Sequence, residues 1–510
     1  MALPFGYRSS HAINRFIREY NADPQLFIWK AAPAYILKSD DCLRGIILDH
    51  QIHATHTSGL PHPLNPPAHN GVAQLERSCA ETEWCRQFQT REGRGFPCQE
   101  LRWATPTKGR SHGGAQISMI KELHFDVAEF DARLAAVKNE MSKRGIDILL
   151  LSEPPNQNYL TGYNAYSYYT PQMVVVAVDR KEPIWIGRLI DHVSATMTTY
   201  LTEESIRGYP DTYVQSTILS AYDFMAGIVK EVGGEKARIG VEMGGYYYSA
   251  RAHADLTRAL PFAEFVDADL LVGWIRLVKS HSEISIMRQA GQLADAAMQR
   301  VIDTVEAGVR ECDIAAAIYH QQVSGTPDFG GDYPCCPPDL CIGDRSIAPH
   351  AAWTDEPVQD STIVNLELSG CRHRYQVNLA RTIAVGKPST AFHDLSEIAV
   401  EALNIGLESI RPGRRCSEVY SAFSLALARH RIEKNSRIGY PTGIGFPPAS
   451  GERTASIRKG DETVLQPGMV FHLMPGLWLD DVGITITQSF AVTDRGFEAL
   501  TMTPRRLFVK

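Results

Sequence analysis

The chain has 510 residues, 44% of them hydrophobic and 21% charged, and a net charge of −7 that is spread thinly along its length. That length exceeds one ordinary core and predicts two domains plus an appendage. The charge pattern excludes the basic blocks that draw nucleic acid or an anionic membrane surface, and no apolar run is long enough to span a bilayer as a helix.

The opening stretch, MALPFGYRSSHAINRF, lacks the apolar region of a secretory signal. Residues 1–118 are rich in His, Pro, Arg and Gln with little periodicity, and read as a disordered or non-native extension. Its run of His50, His53, His56, His62 and His69 has no Cys or carboxylate at ligand spacing, so no metal site is expected there. The ten cysteines are irregularly spaced, and Cys335, Cys336 and Cys341 do not form a zinc ribbon. Reduced thiols in a cytoplasmic enzyme are the reading.

Regular pattern begins near Met119. Phe130, Leu134, Val137 and Met141 recur at helical spacing. Apolar strands follow at Ile146 to Leu151, Met173 to Val178 and Ile184 to Ile186, and another starts at Arg238. Strands alternating with helical stretches predict a small α/β domain ending near residue 265. At the joint, Ser280 and Glu283 have the spacing of a capping box, in which each side chain satisfies the other's free amide. Ile284, Met287, Gly291, Ala294 and Met298 then line one face of a long helix, and the remainder mixes helices with hairpin-like strands in an α+β pattern. No internal repeat at solenoid spacing is present.

Three stretches carry a family resemblance: RLVKSHSEI, VNLELSGCRHRYQVNLARTIAVGKP and VLQPGMVFHLMPGLWLDDVGITITQSFAVTDRGFEAL. Through them the chain resembles the pita-bread hydrolases, which include creatinase, aminopeptidase P, prolidase and methionine aminopeptidase. The resemblance implies a creatinase-like α/β N-terminal domain at 119–268 and an α+β pita-bread catalytic domain at 269–510, in a homodimer. Metallopeptidases of this family hold two metals with two Asp, one His and two Glu, because hard divalent ions select anionic oxygens. Carried onto this chain, those positions hold Glu367, Asn378, Thr442, Met474 and Thr487. One carboxylate remains of the set, so neither a dinuclear centre nor any other cofactor is expected.

Within the family, NYLTGYNAYSYYTPQ, GYPDTYVQST, GGDYP, APHAAW, GFPPASGERTASIRKGD and MPGLWLDDVG resemble the ectoine hydrolases, a metal-free group. SYYTPQ is more polar and less bulky than that group's pattern, and ASGE replaces a DWGE-like turn. The resemblance implies hydrolysis of an ectoine-like cyclic amidine, with no nucleic-acid or membrane partner. An amidinium carbon is already electrophilic and needs a nearby carboxylate and a proton donor more than a Lewis acid. Glu367 is the candidate nucleophile or base, and His350, placed like the family's catalytic His, the candidate proton carrier. His373 is a candidate substrate ligand or a structural hydrogen-bond donor. Tyr166, Tyr168 and Trp478 either wall an apolar pocket or fill core, and Arg381 supports the sheet. Competing readings are another metal-free amidine or amide hydrolase, a metallo-aminopeptidase acting on Xaa-Pro bonds, and a catalytically silent binding protein.

Overall fold

The computed structural model describes residues 121–479 and 481–510. The expectations for residues 1–118, their His run included, lie outside the described residues. None of the described helices is long and apolar enough to cross a membrane.

The first part is a six-stranded mixed sheet. Its strands are β1 (Ile148–Leu151), β2 (Met173–Ala177), β3 (Ile184–Arg188), β4 (Ile206–Tyr209), β5 (Arg238–Val241) and β6 (Glu264–Asp267), in the order β4-β3-β2-β1-β5-β6. Strand β1 runs antiparallel to β2 and parallel to β5. All four residues of β1 are apolar and buried, because both faces of the sheet are covered. Leu149 and Leu151 pack with Leu134, Val137 and Met141 of the helix Val127–Lys143. Ile148 and Leu150 point the other way, to the helices Ala221–Glu231 and Ala250–Ala259.

The second part is a nine-stranded sheet. Its strands are β7 (Asp339–Ile342), β8 (Thr362–Arg372), β9 (Tyr375–Val385), β10 (Gly439–Phe446), β11 (Ala449–Gly451), β12 (Val470–Leu473), β15 (Gln488–Val492), β16 (Phe497–Ala499) and β17 (Phe508–Val509). The main path is β16-β15-β12-β10-β9-β8-β7, with β11 beside β10 and β17 beside β9; a separate two-stranded ribbon joins β13 (Leu477–Trp478) to β14 (Gly483–Ile484). Strands β8 and β9 pair along their whole length, from Thr362↔Val385 to Arg372↔Tyr375. The helix His281–Thr304 lies against β8 so closely that a Cβ at Gly370 would collide with the carbonyl of Ala290.

The joint bears out the capping box: Ser280 Oγ accepts from the Glu283 amide at 3.2 Å, and Glu283 Oε2 from the Ser280 amide at 2.9 Å. Just before it lies a buried ionic knot. Lys279 Nζ donates to Glu452 Oε2 at 2.6 Å, and Arg276 reaches Glu452 Oε1 at 3.3 Å and Asn156 Oδ1 at 2.8 Å. The helix Val127–Lys143 and the helix His281–Thr304 also share one apolar cluster, which takes in Met287, Tyr375 and Ile444. The two parts therefore pack as one body.

Candidate active site

Strand β8 has a period of two. Val364, Leu366 and Leu368 enter the apolar cluster with Leu379 and Ile383, and the intervening Glu367 turns to the opposite side. There it borders a cleft of about 650 Å³ and a smaller adjoining chamber of about 350 Å³. Asp339, His350, Glu367, Arg437 and Met474 line both and form the neck between them.

Glu367 is held by neighbours from two other strands. Asn378 Nδ2 on β9 lies 3.3 Å from Glu367 Oε1, and the Tyr440 hydroxyl on β10 also lies 3.3 Å from it. Asn378 Nδ2 reaches Tyr440 OH at 3.1 Å and Ser450 Oγ at 2.9 Å. Behind Tyr440 stands His472 on β12, its Nδ1 3.1 Å from the phenol oxygen and its Nε2 2.8 Å from Thr487 Oγ1. The Ala380 amide already donates to Thr487 Oγ1, leaving that hydroxyl's proton free for His472 Nε2. Nδ1–H then donates to Tyr440, and the phenol proton to Glu367, an assignment that satisfies every group in the chain.

The electrostatics agree with that order. Burial holds the Tyr440 phenol well above its ordinary range, so it remains a donor. Burial, then the nearby Arg381 and Arg437 charges, pulls the His472 imidazole down to about 3. The 3.7 Å approach of His472 Nδ1 to Glu367 is therefore not an ion pair, since the ring is neutral. Glu367 is raised to about 7, first by burial and then by the Asp339 carboxylate, against the lowering effect of its bonds from Asn378 and Tyr440. Its side chain nevertheless keeps 23% of its surface open, and that surface faces the cleft. Asp339 is raised by its own burial, with His350 opposing.

The five residues that the family resemblance sets at the ligand positions do not fit a dinuclear metal centre. Glu367 is the one carboxylate, and Asn378 turns its amide nitrogen toward it. Thr487 spends its hydroxyl on His472 and the Ala380 amide, while Thr442 is buried with its hydroxyl unpartnered. Met474 offers only a thioether to a hard cation. Among the described residues, no group of three or more His, Cys, Asp or Glu side chains converges as a metal site.

Of the residues singled out from sequence, Glu367, His350 and Trp478 meet at these chambers: His350 at the neck in a left-handed conformation with φ 67°, Trp478 on the smaller chamber's wall. The other three lie elsewhere in the chain. His373 and Arg374 form the two-residue turn between β8 and β9, both with positive φ, as such tight hairpins require. His373 stacks on His124 with ring centroids 3.6 Å apart, and Arg374 ties the turn to the carbonyls of Tyr333 and Gly445. Tyr168 is buried against Tyr247 and Phe446, and Tyr166 stands 69% exposed beside Tyr168, Tyr169 and Tyr333. These side chains serve a hairpin end and an aromatic cluster rather than the wall beside Glu367. Arg381 is buried and donates to the carbonyls of Ala380, Thr487, Thr503 and Pro504, a sheet-supporting role.

Asp339, Tyr440 and His472 were missed from sequence. A signal existed for His472: it lies two residues before Met474 in β12 and its loop, so strand alternation sends both to one side. Asp339 and Tyr440 carried none, since only strand register brings them to Glu367.

Residues 285–494 match Metallopeptidase family M24, and residues 133–278 match the Creatinase/Prolidase N-terminal domain. The chain is 48% identical over 391 residues to "Uncharacterized hydrolase/peptidase y4tM" of Sinorhizobium fredii, covering 77% of this chain and 100% of that one. It is 39% identical over 395 residues to the ectoine hydrolase of Halomonas elongata, covering 76% and 99%. Among solved structures, the prolidase of Pyrococcus horikoshii superposes with a TM-score of 0.63 at 22% identity, over 73% of this chain and 99% of that one, which speaks for the fold alone. With its creatinase-type N-terminal domain and pita-bread catalytic domain, the chain belongs to the creatinase/prolidase-type proteins of Metallopeptidase family M24.

Proposed function

We propose that this protein is a metal-independent hydrolase that opens the ring of ectoine or a closely related cyclic amidine. The observation that carries the reading is Glu367, whose carboxylate opens onto the cleft while Asn378 and Tyr440 hold it from behind. It stands where the family's metallopeptidases begin their ligand set. Identity of 39% to an ectoine hydrolase across nearly its whole length supports the choice of substrate.

In this reading the cationic amidinium lies against Glu367 and Asp339. Glu367, ionised, takes a proton from the water that attacks the amidinium carbon, or attacks that carbon itself to give a covalent ester-type intermediate that water then hydrolyses. One ring C–N bond then breaks, and His350 at the neck delivers the proton that the departing nitrogen needs. Water adds across the ring, so ectoine gives an N-acetylated diaminobutyrate. The neutral His472 does not itself exchange protons near neutral pH; it orients Tyr440, which orients Glu367. The working unit in this proposal is a homodimer, an inference from the family resemblance that sedimentation at assay concentration checks.

One assay separates the readings. Purified protein is incubated with ectoine, hydroxyectoine, creatine and an Xaa-Pro dipeptide, and the products are followed. Ring opening of ectoine or hydroxyectoine supports the proposal. Turnover of the dipeptide alone moves the protein to the peptidases, and no turnover of any compound leaves a silent homologue.

A further inference from the structure

The smaller chamber carries two cations, Lys434 and Arg437, on the segment leading into β10. Lys434 Nζ is turned inward, donating to Ser436 Oγ at 2.9 Å and to the Gly476 carbonyl, and it sits 5.4 Å from the Trp478 ring centre. Burial with no acidic neighbour to offset it draws this ammonium down to about 8. Arg437 lies over the Tyr440 ring, its Cζ 4.8 Å from the centre. Neither has a carboxylate within ion-pair distance among the described residues. Arg453 in the larger cleft differs, being tied to Asp269 at 3.4 Å and Glu153 at 3.9 Å.

A partly buried cation without a counter-ion among the described residues is costly to keep; Lys434 is one, and the exposed Arg437 lines the same chamber. At the neck of the same chamber stand Asp339 and Glu367. Tyr440 lies between Arg437 and Glu367, its ring under the guanidinium and its hydroxyl on the carboxylate. Cations and carboxylates thus share one chamber, Arg437 at its neck and Lys434 farther in. A free guanidinium is well suited to a carboxylate, which it can bind through two parallel hydrogen bonds.

We propose that Lys434 and Arg437 form an anion subsite that takes the carboxylate of a zwitterionic substrate while its cationic end rests against Glu367 and Asp339. This rests on the proposed function and adds to it the residues that select for the substrate's acid group. It predicts discrimination against neutral analogues, which would leave both cations unpaired.

The test uses the full chain, with ectoine and its ring-identical carboxamide. The wild type is expected to favour the carboxylate in kcat/KM by at least about tenfold, the scale of one charge-assisted contact. Arg437→Gln should collapse that ratio toward one, mainly through a higher KM for ectoine, and Lys434→Met should reduce it in the same direction. Having two variants covers the case in which one fails to fold, with melting curves as the check. Equal wild-type activity on both compounds, or an unchanged ratio in folded variants, overturns the subsite. If ectoine is not consumed at all, the catalytic reading falls and calorimetry judges the subsite alone. Ectoine, creatine and glycine betaine are then titrated against their neutral amides: a tenfold carboxylate preference lost in Arg437→Gln supports it, and no preference overturns it.

Discussion

Asp339 stands directly across the β7–β8 ladder from Glu367, so two carboxylates occupy one rung beside the cleft. Side chains paired this way lie close enough for like charges to repel. Burial and that repulsion hold Glu367 near 7, and Asp339 is raised as well. At neutral pH the Glu367 carboxylate is therefore only part-ionised. A substrate cation placed against it would recover the missing charge.

Glu367→Gln keeps the shape of the side chain and removes its charge and nucleophilicity. We expect kcat to fall by at least about a hundredfold, the lower end of what acid–base groups supply. His350→Ala should cost a similar factor, and the double variant less than the product of the two, because groups acting in one step are not additive. Steady-state rates on folded protein decide this. A Glu367→Gln protein that works at near wild-type rate would sink the mechanism.

The pH profile should show the shifted carboxylate. With Glu367 acting in its ionised form, kcat/KM should rise with pH through about 7. Asp339→Asn removes the neighbouring charge and should move that limb to lower pH. Stability runs the other way. The folded pKa lies above the ordinary value, so Glu367's contribution is present in full at low pH and is lost as pH rises through about 7. Glu367→Gln should accordingly melt higher than wild type above pH 7, and the gap should close toward pH 5. No difference between the two pH regimes would mean that Glu367 titrates normally.

With Glu367 the one carboxylate among the family's five ligand positions, activity should survive exhaustive chelation. Elemental analysis of active, untagged protein should find no stoichiometric transition metal. One or two ions per chain, lost together with activity, would refute metal independence.

The ionic knot at the joint should matter for stability rather than chemistry. Both Lys279 and Glu452 have side chains only 1% exposed, and burial lowers the Lys279 pKa despite its partner. Glu452→Ala strands a buried ammonium and is expected to cost about 3–5 kcal/mol in urea unfolding. Replacing both, as Lys279→Met with Glu452→Leu, should recover much of that. A loss below about 1 kcal/mol in the single variant would show that the pair does not hold the joint.

Much of this molecule was legible in one dimension, because some forces act within a few residues. The capping box at Ser280 and Glu283 needs one helical turn, and the apolar run at Ile148–Leu151 needs only sheet faces that are both covered. The order of motifs singled out Glu367, His350 and Trp478, which the structure brings to the two chambers. What only the tertiary structure decided is who faces Glu367. Asp339 meets it through strand register, Tyr440 and His472 through two further strands, and no local pattern encodes a pairing between segments so far apart. Nor could composition say that Tyr166, Tyr168 and His373 would go elsewhere, since an aromatic ring fits a core, a turn or a pocket wall equally well until packing chooses. The raised Glu367 pKa belongs to the same class: desolvation is a property of the surroundings, and those exist only once the strands have closed around it.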